Sequence, residues 1–267
     1  MIKKSAILFL IALVIGLPSV FAEERDINQI AQEIGIDQKL NAQVPPDLEF
    51  KDETGKAVKL GDYFGQKPVI LSLVYYRCST LCPLTLSGLT KAMNLLPFKA
   101  GKDFTVLTVS FDPQETAAEA RGKKEMYLKQ YEREASADGW AFLTGKADAI
   151  QKLLSTVGFR YSGNGETRQF AHASGIMILT PEGRISRYFY GIDYQPKDLR
   201  LALVEAGKNR IGNLVDQLLL LCYHYDPMTG RYGLAVKNGL RVSAVLTAAA
   251  LAFFVISSIR NEKVVRK

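Results

Sequence analysis

Val69-Ile70-Leu71-Ser72-Leu73-Val74-Tyr75-Tyr76-Arg77-Cys78-Ser79-Thr80-Leu81-Cys82-Pro83 is the stretch that decides the fold. Val69 to Tyr75 is a nearly unbroken apolar run, which suits a strand buried on both faces of a sheet. From Pro83 to Leu96 the apolar residues Leu84, Leu86, Leu89, Met93 and Leu96 recur at helical spacing. A buried strand thus gives way to a helix, with two cysteines at the junction. A helix N-terminus exposes unpaired backbone N–H groups and favours negative charge. A thiolate held there has a lowered pKa and becomes a better nucleophile and metal ligand at neutral pH. If the helix covers both cysteines, their Cβ atoms lie about 5–6 Å apart on one face. That admits one metal ion between two sulfurs, or a disulfide after a small adjustment, since bridged Cβ atoms sit about 3.5–4.5 Å apart. A plain structural disulfide and a pair of buried free thiols also fit the spacing.

Working outward, Phe104 to Phe111 is a second buried-strand run. Thr116 to Arg133 is charged and amphipathic, a surface helix, and Ala147 to Val157 is another helix. Gly175 to Leu179 and Ile185 to Tyr190 form a strand pair around Pro181-Glu182-Gly183, and Lys197 to Gly207 is a closing helix. Upstream, 23–44 reads as a helical lead-in ending at Pro45-Pro46. Leu48 to Asp52 and Ala57 to Leu60 flank Thr54-Gly55 as a hairpin. Strands alternating with helices, plus a late hairpin, indicate a layered α/β or α+β domain.

The 267 residues include 34 Lys plus Arg, 27 Asp plus Glu, 3 Cys and 2 His, with 48% hydrophobic residues. This composition excludes disorder, collagen and small disulfide scaffolds. The charge of +7 is spread along the chain, which argues against nucleic acid as a partner. Cys78, Cys82, Cys222, His172 and His224 are the whole supply of thiol and imidazole.

Both ends point to a membrane. Residues 1–22 read as a secretory signal: Lys3 and Lys4, an apolar run from Ala6 to Leu17, then Val20-Phe21-Ala22 as a cleavage site. An uncleaved anchor is the alternative. Val242 to Ile259 carries no charge over 18 residues, enough for the roughly 17–25 that span a bilayer core. Arg260, Lys263, Arg266 and Lys267 follow it, which places the tail in the cytoplasm. The expected organisation is a signal peptide at 1–22, a main domain at 23–207 and a connector at 208–240. A transmembrane helix at 241–260 and a cytoplasmic tail at 261–267 complete it. The main domain then faces the periplasm or an equivalent oxidising space.

The order of elements suits a thioredoxin-like fold with an N-terminal extension and an inserted hairpin. Several segments are, in addition, similar to one family. Val74 to Leu86 resembles the copper-site segment of the Sco/SenC family, and Val109 to Thr116 its second signature. Phe142 to Gly145 resembles the third; Phe170 to Ser174 and Pro181 to Gly183 resemble the histidine segment and the hairpin after it. The likeness runs in order over about 41–203. Two positions depart from the family pattern. Ser79 and Thr80 follow the first cysteine where Pro and often an acidic residue are usual, and Ala173 separates His172 from Ser174.

The resemblance implies a copper site made of Cys78, Cys82 and His172, with Asp112 near it. From the residues alone, Asp112 is a turn or helix cap. Two thiolates and one imidazole form a soft, low-coordinate set that suits Cu(I) and can take Cu(II), whereas structural zinc takes four protein ligands. The function implied is that of a copper metallochaperone rather than an enzyme. It would load the binuclear copper centre of cytochrome c oxidase, with the oxidase subunit and another periplasmic copper carrier as partners. The alternative is a thiol–disulfide oxidoreductase that reduces the oxidase's copper-ligand cysteines. A peroxidase is a weaker third class, resting on Arg77 alone.

A second cluster, Cys222-Tyr223-His224-Tyr225-Asp226-Pro227-Met228, lies outside the segments that carry the resemblance. If extended, it puts Cys222 and His224 on the same side. An auxiliary copper site, a docking strip, an aromatic patch beside a membrane helix and intermolecular pairing through Cys222 are its readings.

Overall fold

The computed structural model describes residues 33–133, 139–164, 169–211, 225–226, 231–232 and 241–248. The signal at 1–22, Cys222, His224 and most of the apolar run 242–259 lie outside these residues. The chain divides into a unit ending at Ile211 and a second unit, Gly212–Lys267.

The first unit is built on a seven-stranded sheet. Its strands are β2 (Glu49–Lys51), β3 (Ala57–Lys59), β4 (Val69–Val74), β5 (Thr105–Ser110), β6 (Trp140–Gly145), β9 (Gly175–Leu179) and β10 (Ile185–Tyr190). They lie in the order β10-β9-β4-β5-β6-β2-β3. The middle three run parallel: Val69 pairs with Thr105 and Val74 with Ser110, and Val106 pairs with Trp140. Parallel neighbours require crossover connections. Helix α1 (Leu81–Asn94) joins β4 to β5, and α2 (Ala117–Gln130) joins β5 to β6. Helices α3 (Ala147–Val157) and α4 (Pro196–Ala206) follow β6 and β10. All six residues of β4 are buried, as expected of a central strand covered on both faces. The mixed α/β, thioredoxin-like architecture is the one the sequence predicted.

A separate three-stranded sheet carries the histidine. β1 (Gly35–Ile36) pairs with β7 (Phe159–Asn164), and β7 pairs with β8 (Gln169–His172), all antiparallel. Here the structure corrects the sequence reading. From Gly35 onward the lead-in is extended, not helical. The N–H of Asp37 donates to the carbonyl of Gly158, that of Asn41 to Ile185 and that of Val44 to Gly183. These donors bond to the C-cap of α3, to β10 and to the turn before it rather than to carbonyls four residues back, so the segment builds no helix. Asn41, at φ 64, would also interrupt one.

Helix α1 is held close to the turn after β10. A Cβ at Gly88 would meet the carbonyl oxygen of Ile192 at 1.8 Å, so only glycine fits there. Gly88→Ala should therefore destabilise. Overpacking costs about 1–3 kcal/mol, and a backbone clash this close is at the upper end. The better helix propensity of Ala returns up to about 1 kcal/mol. A net loss of about 2 kcal/mol lowers the melting temperature by roughly 4–8 °C, which a thermal melt reads directly.

In the second unit, β11 (Tyr225–Asp226) pairs with β12 (Arg231–Tyr232), and 241–248 are helical and exposed. Among the described residues no helix is long and apolar enough to cross a membrane.

Candidate metal centre

Strand β4 ends at Val74 and the chain turns before α1 begins at Leu81, with the N–H of Cys78 donating to the carbonyl of Tyr75. Only Cys82 is helical; Cys78 sits in the turn, three residues ahead of the helix start at Leu81. The sequence reading that one helix could cover both is therefore replaced by a different use of the same helix end. Thr80, the N-cap residue, makes no side-chain capping bond. Instead the N–H of Cys82 donates to Cys78 Sγ at 3.4 Å. A sulfur takes up one of the orphan amides that every helix start leaves open. The N–H of Tyr75 donates to Cys82 Sγ at 3.5 Å.

His172 is the last residue of β8. Its Nε2 lies 3.3 Å from Cys82 Sγ. Its Nδ1–H donates to the carbonyl of Ala173 at 2.8 Å. That bond places the proton on Nδ1 and leaves the Nε2 lone pair facing the sulfurs. Cys78, Cys82 and His172 thus offer three donor atoms within 4.8 Å of one another, all buried. Bonds of about 2.0–2.3 Å to a central ion place three trigonal donors roughly 3.5–4 Å apart, so this set closes on one ion with small shifts. Both thiols are free.

The electrostatics divide the two sulfurs. The Cys82 thiol hydrogen-bonds to Cys78 and pulls its pKa far below the usual thiol value, against burial and with help from two backbone N–H groups. Burial, reinforced by the charge on Cys78, pushes Cys82 far up. The walls are aromatic: Phe111, Tyr75 and Phe159 stand 5.3, 5.9 and 6.2 Å from the His172 ring, centroid to centroid. Such walls exclude water; the Tyr75 hydroxyl, hydrogen-bonded to Cys78, is a further polar group beside the sulfurs and the ring nitrogen.

Asp112 is buried, 2% exposed, but is not one of the three clustered donors. Its Oδ1 accepts the N–H of Gln114 at 2.9 Å, which is the turn role. The reading of the sequence passed over Glu115. Its carboxylate is buried and accepts the N–H of Tyr76 at 2.7 Å, the N–H of Arg77 at 2.7 Å and the Ser110 hydroxyl at 2.6 Å. It holds the turn that presents Cys78.

The sequence profile of the SCO1/SenC family matches residues 36–205, well over half the chain and the whole of this site. The chain belongs to the SCO1/SenC family. The SCO1 protein homolog of Bacillus subtilis (strain 168) is 25% identical over 168 residues, 61% of this chain and 81% of that protein. A solved structure of a proposed electron transfer protein from Aquifex aeolicus VF5 is 31% identical, with a TM-score of 0.57. The likeness covers 64% of this chain and 95% of that one. BsSco, described as a member of the Sco family of cytochrome c oxidase assembly proteins, shares the fold. It has 21% identity and a TM-score of 0.50 over 64% of this chain and 98% of that one.

Proposed function

We propose that this SCO1/SenC protein carries copper as cargo for the assembly of cytochrome c oxidase. The observation that carries the reading is the buried cluster of Cys78, Cys82 and His172, a soft set of two sulfurs and one nitrogen. Three protein ligands leave coordination open, so an incoming thiolate of an acceptor can bind the ion before a resident thiolate lets go. The oxidase destination follows from family membership and from the assembly role in the description of BsSco. The binuclear copper centre, whose ligands include thiols, is the acceptor that two-cysteine exchange suits. A cleaved signal at 1–22 and an anchor at 241–260 would tether the carrier domain to the exoplasmic face of the membrane. Cys222 and His224 would provide a second place for copper near that face.

The second reading is a thiol–disulfide oxidoreductase acting on the acceptor's cysteines. Two free cysteines, with the N–H of Cys82 donating to Cys78 Sγ at the helix start, favour it as well, since an amide bond to sulfur stabilises the thiolate that attacks disulfides. His172→Ala separates the two. Titration of the reduced full chain with Cu(I) should show an affinity lowered by about 10²–10³-fold in this variant, as loss of one of a few ligands removes roughly 3–4 kcal/mol. Its rate of disulfide reduction should stay within a few-fold of wild type. Unchanged copper affinity would sink the three-ligand site. Absence of copper binding in the wild type, with a readily reducible Cys78–Cys82 disulfide, would transfer the assignment to the oxidoreductase. A second copper equivalent surviving in Cys78, Cys82 and His172 variants would locate it at Cys222 and His224.

A further inference from the structure

Cys82 and His172 stand on separate sheets' elements, α1 and β8, and something must hold them in register. The Nδ1 bond of His172 runs to its own neighbour Ala173, so it orients the ring without fixing it relative to the cysteines. The aromatic walls are not directional. Besides the Cys82 Sγ–His172 Nε2 contact at 3.3 Å, a second directional link lies one step away. Thr85, three residues after Cys82 on α1, and Ser174, two residues after His172, bring their hydroxyl oxygens within 2.6 Å of each other, and both residues are buried.

Each hydroxyl has one proton to give. Ser174 Oγ donates to the carbonyl of Gly191 at 2.8 Å, where the Tyr194 hydroxyl also donates at 2.7 Å. The N–H of Gly191 returns to the carbonyl of Ser174 at 2.9 Å. With the Ser174 proton engaged on Gly191, the bond between the two hydroxyls takes the Thr85 proton, for which Ser174 Oγ at 2.6 Å competes with the more distant carbonyl of Leu81 at 3.0 Å. The chain of donors then runs from the cysteine helix, through the exit of the histidine strand, to the turn after β10.

We propose that the Thr85–Ser174 hydrogen bond is a latch that positions His172 against Cys82. Thr85 and Ser174 are positioning residues; neither contributes a donor atom to the cluster. The proposal deepens the copper-carrier reading and rests on it for its purpose. The latch would tune how firmly the third ligand is held, and so how readily a cargo ion is released.

The two hydroxyls can be removed without leaving a buried donor stranded. In Thr85→Val, Ser174 still donates to Gly191. In Ser174→Ala, the Thr85 proton turns to the carbonyl of Leu81, 3.0 Å from Oγ1. Neither variant therefore carries the penalty of an unsatisfied buried group. The test uses the reduced, metal-free full chain, whose only histidines are His172 and His224, so imidazole resonances are few. Both variants should shift the His172 ring resonances, the double variant should shift them no further than the singles, and Thr85→Ser should restore the wild-type position. Cu(I) affinity should then fall by about 10–100-fold in both, the usual effect of freeing a ligand's orientation. His172 resonances unmoved in both variants would overturn the latch whether or not copper binds. Shifted resonances in a protein that binds no copper would sustain the latch and remove the carrier.

Discussion

Cys82→Ser should reduce Cu(I) affinity more than any other single substitution in the chain. Cys82 Sγ is the hub of the cluster. It lies 3.3 Å from His172 Nε2, shares a proton with Cys78 Sγ, and receives the N–H of Tyr75 at 3.5 Å. A serine oxygen still accepts that N–H, so the turn is kept and the fold is little disturbed. What is lost is a soft donor, and hydroxyl is a poor ligand for Cu(I). Removing one of three ligands costs about 3–4 kcal/mol, and the loss of the donor that touches both others takes the effect to roughly 10³-fold. Competition with a chelator of known Cu(I) affinity measures it. Cys82→Ala, which leaves no donor at that position, should raise the pKa of Cys78, because the bond from the Cys82 thiol is the largest cause of its depression. Alkylation rates of Cys78 against pH should show an inflection moved upward. A copper affinity within ten-fold of wild type would mean that the ion sits elsewhere.

How much of this could be read beforehand differs residue by residue. The strand from Val69 to Val74 and the helix after Cys82 were plain, because burial on both faces and helical periodicity are local properties of sequence. The pairing of the hairpin 175–190 was plain for the same reason. The hairpin that carries His172 was not recognised, although its signal is present. Phe159 and Tyr161 alternate with Arg160 and Ser162, and Phe170 and His172 alternate with Gln169 and Ala171. This is period two over only four residues a side, and Tyr161 pairs with His172 across it. The histidine itself was reached through resemblance, since no spacing rule joins residues 90 apart. Glu115, Thr85 and Ser174 carried no local mark. Each acts on backbone or side chains brought to it by the sheet, as with Glu115 and the turn 38–39 residues earlier.

Glu115→Ala should be the most destabilising polar substitution near the site. It would strand the N–H groups of Tyr76 and Arg77 and the hydroxyl of Ser110, all of which now donate to one buried carboxylate. Each buried group left unsatisfied costs about 1–3 kcal/mol, and the breaking of a buried charged network costs about 3–5 kcal/mol in all. A loss of about 4 kcal/mol moves the denaturation midpoint clearly in any equilibrium melt. The turn before Cys78 would lose its anchor, so copper binding should weaken although no ligand is touched. The carboxylate also makes stability depend on pH. Burial holds the pKa of Glu115 above the ordinary glutamate value, outweighing the bonds that favour its charge. A folded-state pKa above the unfolded one means that the native state binds the proton more tightly. The stability this provides is full below the unfolded pKa and is lost as pH rises through the folded one. Wild-type stability should therefore fall over the range just above the ordinary glutamate pKa. Glu115→Gln, which cannot titrate, should lack that segment of the slope while being less stable throughout, because its amide nitrogen faces donors. Parallel slopes for the two proteins would show that another group controls the titration.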